Sequence, residues 1–298
     1  MPSPARPRGV IAATATPVDA AFRPDLPRLL RHCRALLDGG CDAINLLGTT
    51  GEATSFSLEQ RLGVMRAIFD AGMPMHRFMV GTGLCSLDET ATLTRAACEM
   101  RFAGALVLPP FFYPLVQADG LITYVDALIA RVDRPSLAIY LYHIPQNTQV
   151  PWPVSVVAEL RRRHPATLVG LKDSAGDLAY SREIVRAVPE LDVFPGSEAS
   201  LVQANADGFA GCISASVNLT AAPSQAGWSA QGTPDGAAAI AKAAAMRAAL
   251  SRQPLIASVK AALAVRYDDA EWSRLCPPLQ GLSEAQSQTL HDALAALT

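Results

Sequence analysis

The chain has 298 residues, 50% of them apolar, so it can bury a large core and does not have the composition of a disordered polymer. A net charge of −2 supplies no sequence-independent attraction to nucleic acid or to an anionic membrane, and neither is expected as a partner. No apolar run approaches the roughly 20 residues that a membrane span requires, and no apolar leader core is present, so a cytoplasmic location is expected.

In chain order, short apolar runs alternate with longer amphipathic ones. Strands are predicted over 10–14, 43–47, 78–81, 105–108, 137–142, 168–172, 193–196 and 211–214. Between them, apolar residues recurring at three and four predict helices over 26–37, 58–69, 87–100, 121–132, 154–163 and 178–188. Helix 154–163 ends in the only basic run, Arg161-Arg162-Arg163-His164, whose cations complement a helix C-terminus. Eight strands in this rhythm fit a closed parallel (β/α)₈ barrel, an α/β fold, better than an open doubly wound sheet.

After the eighth strand the sequence turns Ala-rich, with helices predicted over 236–250, 256–265 and 284–297. The organisation expected is a barrel over 1–222 and a C-terminal helical region over 223–298 packed on it, with the Pro-rich first eight residues loose. Six cysteines (Cys33, Cys41, Cys85, Cys98, Cys212 and Cys276) lack any C-x-x-C pair, and reduced, mostly buried thiols are expected.

In a barrel of this kind chemistry sits where strands end and βα loops begin. Lys172 closes the apolar run Leu168-Val169-Gly170-Leu171, where burial would favour a free amine able to attack a carbonyl. A lysine that snorkels to solvent or pairs with Asp173 fits the same spacing. Gly48-Thr49-Thr50-Gly51 offers two hydroxyls and closely approachable N–H groups that suit a carboxylate, or else forms a tight turn with a capping threonine. Tyr142 ends strand five as either a proton relay or a half-buried core tyrosine. Strands six and seven lead into Ser174 and Gly196. Gly81-Thr82-Gly83 lacks the third glycine of a dinucleotide fingerprint, and the five histidines show no metal-ligand spacing. Neither a cofactor nor a metal is therefore expected.

Taken together, the motifs resemble the dihydrodipicolinate synthase / N-acetylneuraminate lyase superfamily from about Gly9 to Leu279. Those that carry the resemblance, in the family's order, are Thr16-Pro17, Gly48-Thr49-Thr50-Gly51-Glu52, Gly81-Thr82-Gly83, Pro109-Pro110-Phe111-Phe112, Tyr142-x-x-Pro145, Gly170-Leu171-Lys172-Asp173-Ser174, Gly196-Ser197-Glu198 and Gly211-Cys212-Ile213-Ser214. The resemblance implies Lys172 as a Schiff-base lysine, Tyr142 as the proton shuttle, and Thr49 and Thr50 as the pair that binds a pyruvate carboxylate and links the tyrosine to its relay. It also implies that the Ile213 carbonyl faces the keto acid. Gly48, Ser174, Gly196 and Asn147 complete the expected substrate-binding set. The family further implies a homo-oligomer, a dimer or a tetramer.

Two departures matter. The family's dihydrodipicolinate synthases carry a second tyrosine where this chain has Phe112, unless the adjacent Tyr113 replaces it. They also carry an arginine, which binds the second substrate's carboxylate, where this chain has Asn147. The expected activity is therefore reversible aldol cleavage of a 4-hydroxy-2-keto acid to pyruvate, of the 2-keto-3-deoxy sugar acid or 4-hydroxy-2-oxoglutarate type. The alternatives are a dihydrodipicolinate synthase or keto-acid dehydratase using the same imine, and a non-enzymatic, sugar-acid-binding or regulatory relic.

Overall fold

A computed structural model describes residues 6–297 and folds the alternation into eight parallel strands. These are β1 (Gly9–Ala13), β2 (Ala43–Leu46), β3 (Phe78–Gly81), β4 (Gly104–Val107), β5 (Ile139–His143), β6 (Leu168–Asp173), β7 (Asp192–Pro195) and β8 (Gly211–Ser214). They pair in the order β7-β6-β5-β4-β3-β2-β1-β8. The two ends of that sheet meet where the Ala210 N–H, just before β8, donates to the Val193 carbonyl of β7 at 2.8 Å. The predicted (β/α)₈ barrel is thus formed, and each strand lies within two residues of its predicted limits.

Helices Leu26–Asp38, Leu58–Asp70, Leu87–Glu99 and Leu178–Ala187 start on Asp25, Ser57, Ser86 and Asp177, whose side chains accept first-turn N–H groups. Helix Ala118–Val132 begins three residues before its predicted start, and Val154–Arg163 matches its prediction. A further helix, Val217–Ser229, was not predicted and runs through residue 222, where the barrel had been expected to end. Its buried face includes Asn218, Thr220 and Ser224, so the apolar stripe that would have announced it is absent.

Period-two alternation assigns the faces of β5. Ile139 and Leu141 pack outward against the helices, whereas Tyr140 and Tyr142 point into the barrel. Tyr140 fills the interior between two neighbouring strands that make room for it. A Cβ at Gly104 would lie 2.4 Å from its ring, and one at Gly170 would lie 2.2 Å from it. The pairing register shifts between Ile139↔Leu168 and Tyr140↔Gly170, leaving Val169 as one extra residue in β6. That shift brings Tyr142 and Lys172 into register as Cα partners at the carboxyl ends of adjacent strands.

Helices Pro234–Leu250, Leu255–Tyr267 and Glu284–Ala295 enclose an apolar cluster with Leu219, Trp272 and the loop residue Ala15. Arg266 ties them to the unpredicted helix by donating to the Asn218 and Leu219 carbonyls at 2.8 and 3.0 Å. At the opposite end of the barrel, Arg6 pairs with Asp192 at 3.0 Å and Arg8 also bonds it. Of the first eight residues expected to be loose, 6–8 are therefore anchored by charge, and 1–5 lie outside the described residues. Arg162 and Arg163 of the basic run pair with Glu159, and Arg163 also pairs with Asp126.

Candidate active site

Eight of the nine residues singled out in the sequence line one cavity of about 640 Å³: Thr49, Thr50, Tyr142, Asn147, Lys172, Ser174, Gly196 and Ile213. The ninth, Gly48, lines an adjoining cavity of about 230 Å³ that shares Thr49, Tyr142, Ile144 and Asn147 with the first. Arg61 also lines the smaller cavity; it is buried and donates to the Gly81 carbonyl at 2.9 Å.

Lys172 and Tyr142 are 4% and 3% exposed, which removes the reading of Lys172 as a lysine that snorkels to solvent. Its Nζ lies 4.3 Å from the centre of the Tyr142 ring. Pairing with Asp173 is also excluded by what that carboxylate does. Asp173 points away from the barrel interior, where it accepts from Ser181 Oγ at 2.7 Å and from the Ala175 N–H at 2.9 Å. The Tyr142 hydroxyl is 3.1 Å from Thr49 Oγ1. Burial alone would push the phenol up. The positive charge of Lys172 and the side chains of Thr49 and Ser174 outweigh it, and the phenol sits below its ordinary range. A phenol that loses its proton more readily, beside an amine and a threonine hydroxyl, has the setting of a proton donor and acceptor.

The strand-5 end is held by Trp152, which is fully buried. Its indole N–H donates to the Tyr142 carbonyl at 3.2 Å, and its backbone N–H donates to His143 Nδ1 at 3.1 Å. The His143 ring stacks on Tyr180 at 3.9 Å, and burial pulls its pKa down to about 4, so it stays neutral at neutral pH. Gln146 of the short helix Pro145–Thr148 donates to the Ser174 carbonyl at 2.7 Å, joining the loops after β5 and β6.

Two glutamates complete the setting, and the sequence motifs named both without giving either a task. Glu52, in left-handed backbone at φ 54°, ends the Gly48-Thr49-Thr50-Gly51-Glu52 loop. Its Oε1 pairs with the equally buried Lys260 of helix Leu255–Tyr267, and its Oε2 accepts from the Cys276 N–H at 2.7 Å. Glu198, which is fully buried, accepts from Ser214 and Ser216 at 2.6 and 2.8 Å and from Thr220 at 2.7 Å. Arg247 of helix Pro234–Leu250 donates from Nη1 to the Ser214 and Ser216 hydroxyls at 2.9 Å each, and it lines the large cavity. Sequence reasoning missed Trp152, Lys260 and Arg247 as contributors. Arg247 stands in the run Ala243-Ala244-Ala245-Met246-Arg247-Ala248-Ala249, where nothing local marks it. Among the described residues, no group of three or more His, Cys, Asp or Glu side chains could hold a metal, and no helix is long and apolar enough to cross a membrane.

Comparison with known proteins bears on the family and the fold. The dihydrodipicolinate synthetase family model matches residues 6–297. An uncharacterized DapA-like lyase of Chloroflexus aurantiacus is 36% identical over 216 residues, which are 71% of this chain and 70% of that protein. A 2-dehydro-3-deoxy-phosphogluconate/2-dehydro-3-deoxy-6-phosphogalactonate aldolase of Sulfurisphaera tokodaii is 27% identical over 209 residues, 70% of this chain and 68% of its own length. The crystal structure of dihydrodipicolinate synthase from Agrobacterium tumefaciens superposes with a TM-score of 0.89 at 26% identity, covering 97% of this chain and 99% of that one. With the barrel fold and a family match over residues 6–297 in agreement, the chain belongs to the dihydrodipicolinate synthetase family.

Proposed function

We propose that the protein is a class I lyase that cleaves a 4-hydroxy-2-keto acid reversibly, releasing pyruvate and an aldehyde by way of an imine on Lys172. The observation that carries this reading is the buried Lys172 amine against Tyr142, with Thr49 on the tyrosine hydroxyl, at the wall of a cavity large enough for a sugar-acid-sized ligand. The amine adds to the C2 carbonyl and water leaves, giving a protonated imine. Loss of the C4 hydroxyl proton then breaks the C3–C4 bond. The electron pair moves to the imine nitrogen as an enamine forms, and the aldehyde departs. Protonation at C3 and hydrolysis release pyruvate and restore the amine. Tyr142 serves as the proton carrier in these steps, and Thr49 positions its hydroxyl.

Asn147, at the position where the resemblance implies an arginine, disfavours condensation with an amino-acid semialdehyde. A neutral amide cannot grip a carboxylate with two charge-assisted bonds.

The test is reduction with borohydride in the presence of pyruvate. One irreversible adduct per chain is expected at Lys172 and none in Lys172→Ala, since only an imine is reduced to a stable amine. Tyr142→Phe should lower turnover by roughly 10²–10⁴ while the protein remains folded. Labelling that survives Lys172→Ala, or that maps to Lys260, would remove the assignment.

A further inference from the structure

A further cavity, of about 730 Å³, opens at the end of the barrel away from Lys172. It lies at the amino ends of β3 to β6 and shares no lining residue with the two cavities at the carboxyl ends. Val169, the extra residue of β6, borders it, roughly 10 Å of strand before Lys172. Arg6 forms part of the rim and is already committed, since it donates to the Val169 carbonyl at 3.0 Å and pairs with Asp192.

Much of the wall is apolar. Helix Leu58–Asp70 buries Val64, Met65 and Ile68 in the core, yet its last turn leaves Phe69 on this cavity with 43% of its surface exposed. Met75, Phe102 and Leu137 line the same hollow. A large ring left in water above an apolar hollow is a place where a ligand can bury apolar surface. The charges on the wall are one-sided. Arg101, after helix Leu87–Glu99, and His76, in the turn before β3, have no hydrogen-bond or ion-pair partner among the described residues. Glu99 is the only acid among the described residues of this wall, and it accepts from Arg134 at 2.8 Å. Two uncommitted donors therefore face an apolar hollow in which no carboxylate is free to meet them.

We propose that this cavity is a second ligand site, for an organic anion with an aryl or acyl body and one acidic head. The body lies on Phe69 and Met75, and the head takes Arg101 and His76. Carboxylate, phosphate and sulfonate heads share the required chemistry, because each offers two oxygens to the N–H groups of a guanidinium. A polyhydroxylated acid is disfavoured, since its hydroxyls would be buried against side chains that cannot bond them. The inference goes beyond the imine chemistry at Lys172 and does not depend on it.

The probe is 8-anilinonaphthalene-1-sulfonate, an aryl body with one anionic head that fluoresces on leaving water, titrated against the full chain. Phe69→Ser and Arg101→Glu are each expected to weaken its binding by roughly fivefold or more, the scale of contacts at exposed charges and rings. Both side chains are exposed, so circular dichroism should show the fold intact. In the unaltered protein the affinity should fall as salt is raised to about 0.3 M, because the cation is open to screening. Weakening in both variants, with that salt dependence, carries the proposal. Weakening in Phe69→Ser alone leaves an apolar hollow without an anion site, and weakening in Arg101→Glu alone leaves an anion site without a bed for the body; either overturns the stated class. Affinity unchanged in both variants, or no binding, overturns the site itself. If a variant fails to fold, a crystal soaked with the probe decides. Density against Phe69 and Arg101 supports the site, and density confined to the cavity around Lys172 overturns it.

Discussion

Glu52 and Glu198 are both buried carboxylates beside the same active-site mouth, and they are neutralised in opposite ways. Glu52 meets a buried amine directly, and its other oxygen accepts from a backbone N–H, so each of its oxygens has a partner. Its consequence is positional: the loop carrying Thr49 and Thr50 is tied to helix Leu255–Tyr267 and to the chain at Cys276. Glu198 meets three hydroxyls, and the cation that completes the cluster stands partly in the cavity with one edge uncommitted. A direct ion pair ties two elements of the scaffold together, whereas a carboxylate satisfied by hydroxyls leaves the neighbouring arginine bonded through one nitrogen. The difference follows from reach. A lysine brings its charge to one point, while a guanidinium can be anchored at one nitrogen and still bond through two others.

The contrast is broken most directly at Glu52. Glu52→Gln leaves the Lys260 ammonium buried without its counter-ion and should cost about 3–5 kcal/mol in denaturant unfolding. Adding Lys260→Met should recover most of that, because the isolated charge is gone. A single-variant loss below about 1 kcal/mol would mean that water reaches the pair and that it is not the closed scaffold described above.

Acid probes other buried polar groups more gently. His32 is buried between the Tyr267 hydroxyl and Asn218, both at 2.8 Å, and burial pulls its pKa down from 6.5 to about 4; His143 is lowered to about 4 likewise. The unfolded chain therefore binds protons that the folded one refuses. The stability contributed by each neutral histidine is fully present above pH 6.5 and is lost as pH falls toward 4. The loss is at most about 3 kcal/mol for each group. Urea midpoints at pH 7 and pH 4.5 should differ accordingly, and His32→Gln should shrink the difference. An unchanged difference in that variant would place the acid sensitivity elsewhere.

The smallest expected effect lies on the Glu198 side. Thr220→Val removes one of three donors and should cost about 2 kcal/mol, since the hydrogen bond is to a charged group. Urea unfolding measures it. A loss as large as that of Glu52→Gln would show that the hydroxyl cluster is as indivisible as the ion pair, and the distinction between the two glutamates would collapse.

Much of this molecule was legible in its residues. The strands are short, mostly apolar runs, and β1 to β8 fall within two residues of prediction. Lys172, Tyr142 and the two threonines were recognisable because they stand at strand ends in the order of a known set of motifs. Helix Val217–Ser229 was not legible, because Asn218, Thr220 and Ser224 face inward and make long-range hydrogen bonds instead of forming an apolar stripe.

What the sequence determined by itself is therefore local: which segments are strands or helices, which faces are apolar, and which chemical groups end the strands. Those properties depend on neighbours within a few residues, where period and propensity act. Only the tertiary structure decided that one extra residue at Val169 sets Tyr142 opposite Lys172 in the pairing of β5 and β6. It alone brought Lys260 to Glu52 across 208 positions, and Arg247 to Ser214 across 33. Contacts of that kind carry no period along the chain. They exist because closing eight strands into a ring forces distant strand ends together, and because the helices that follow must bury their apolar faces over the barrel's mouth.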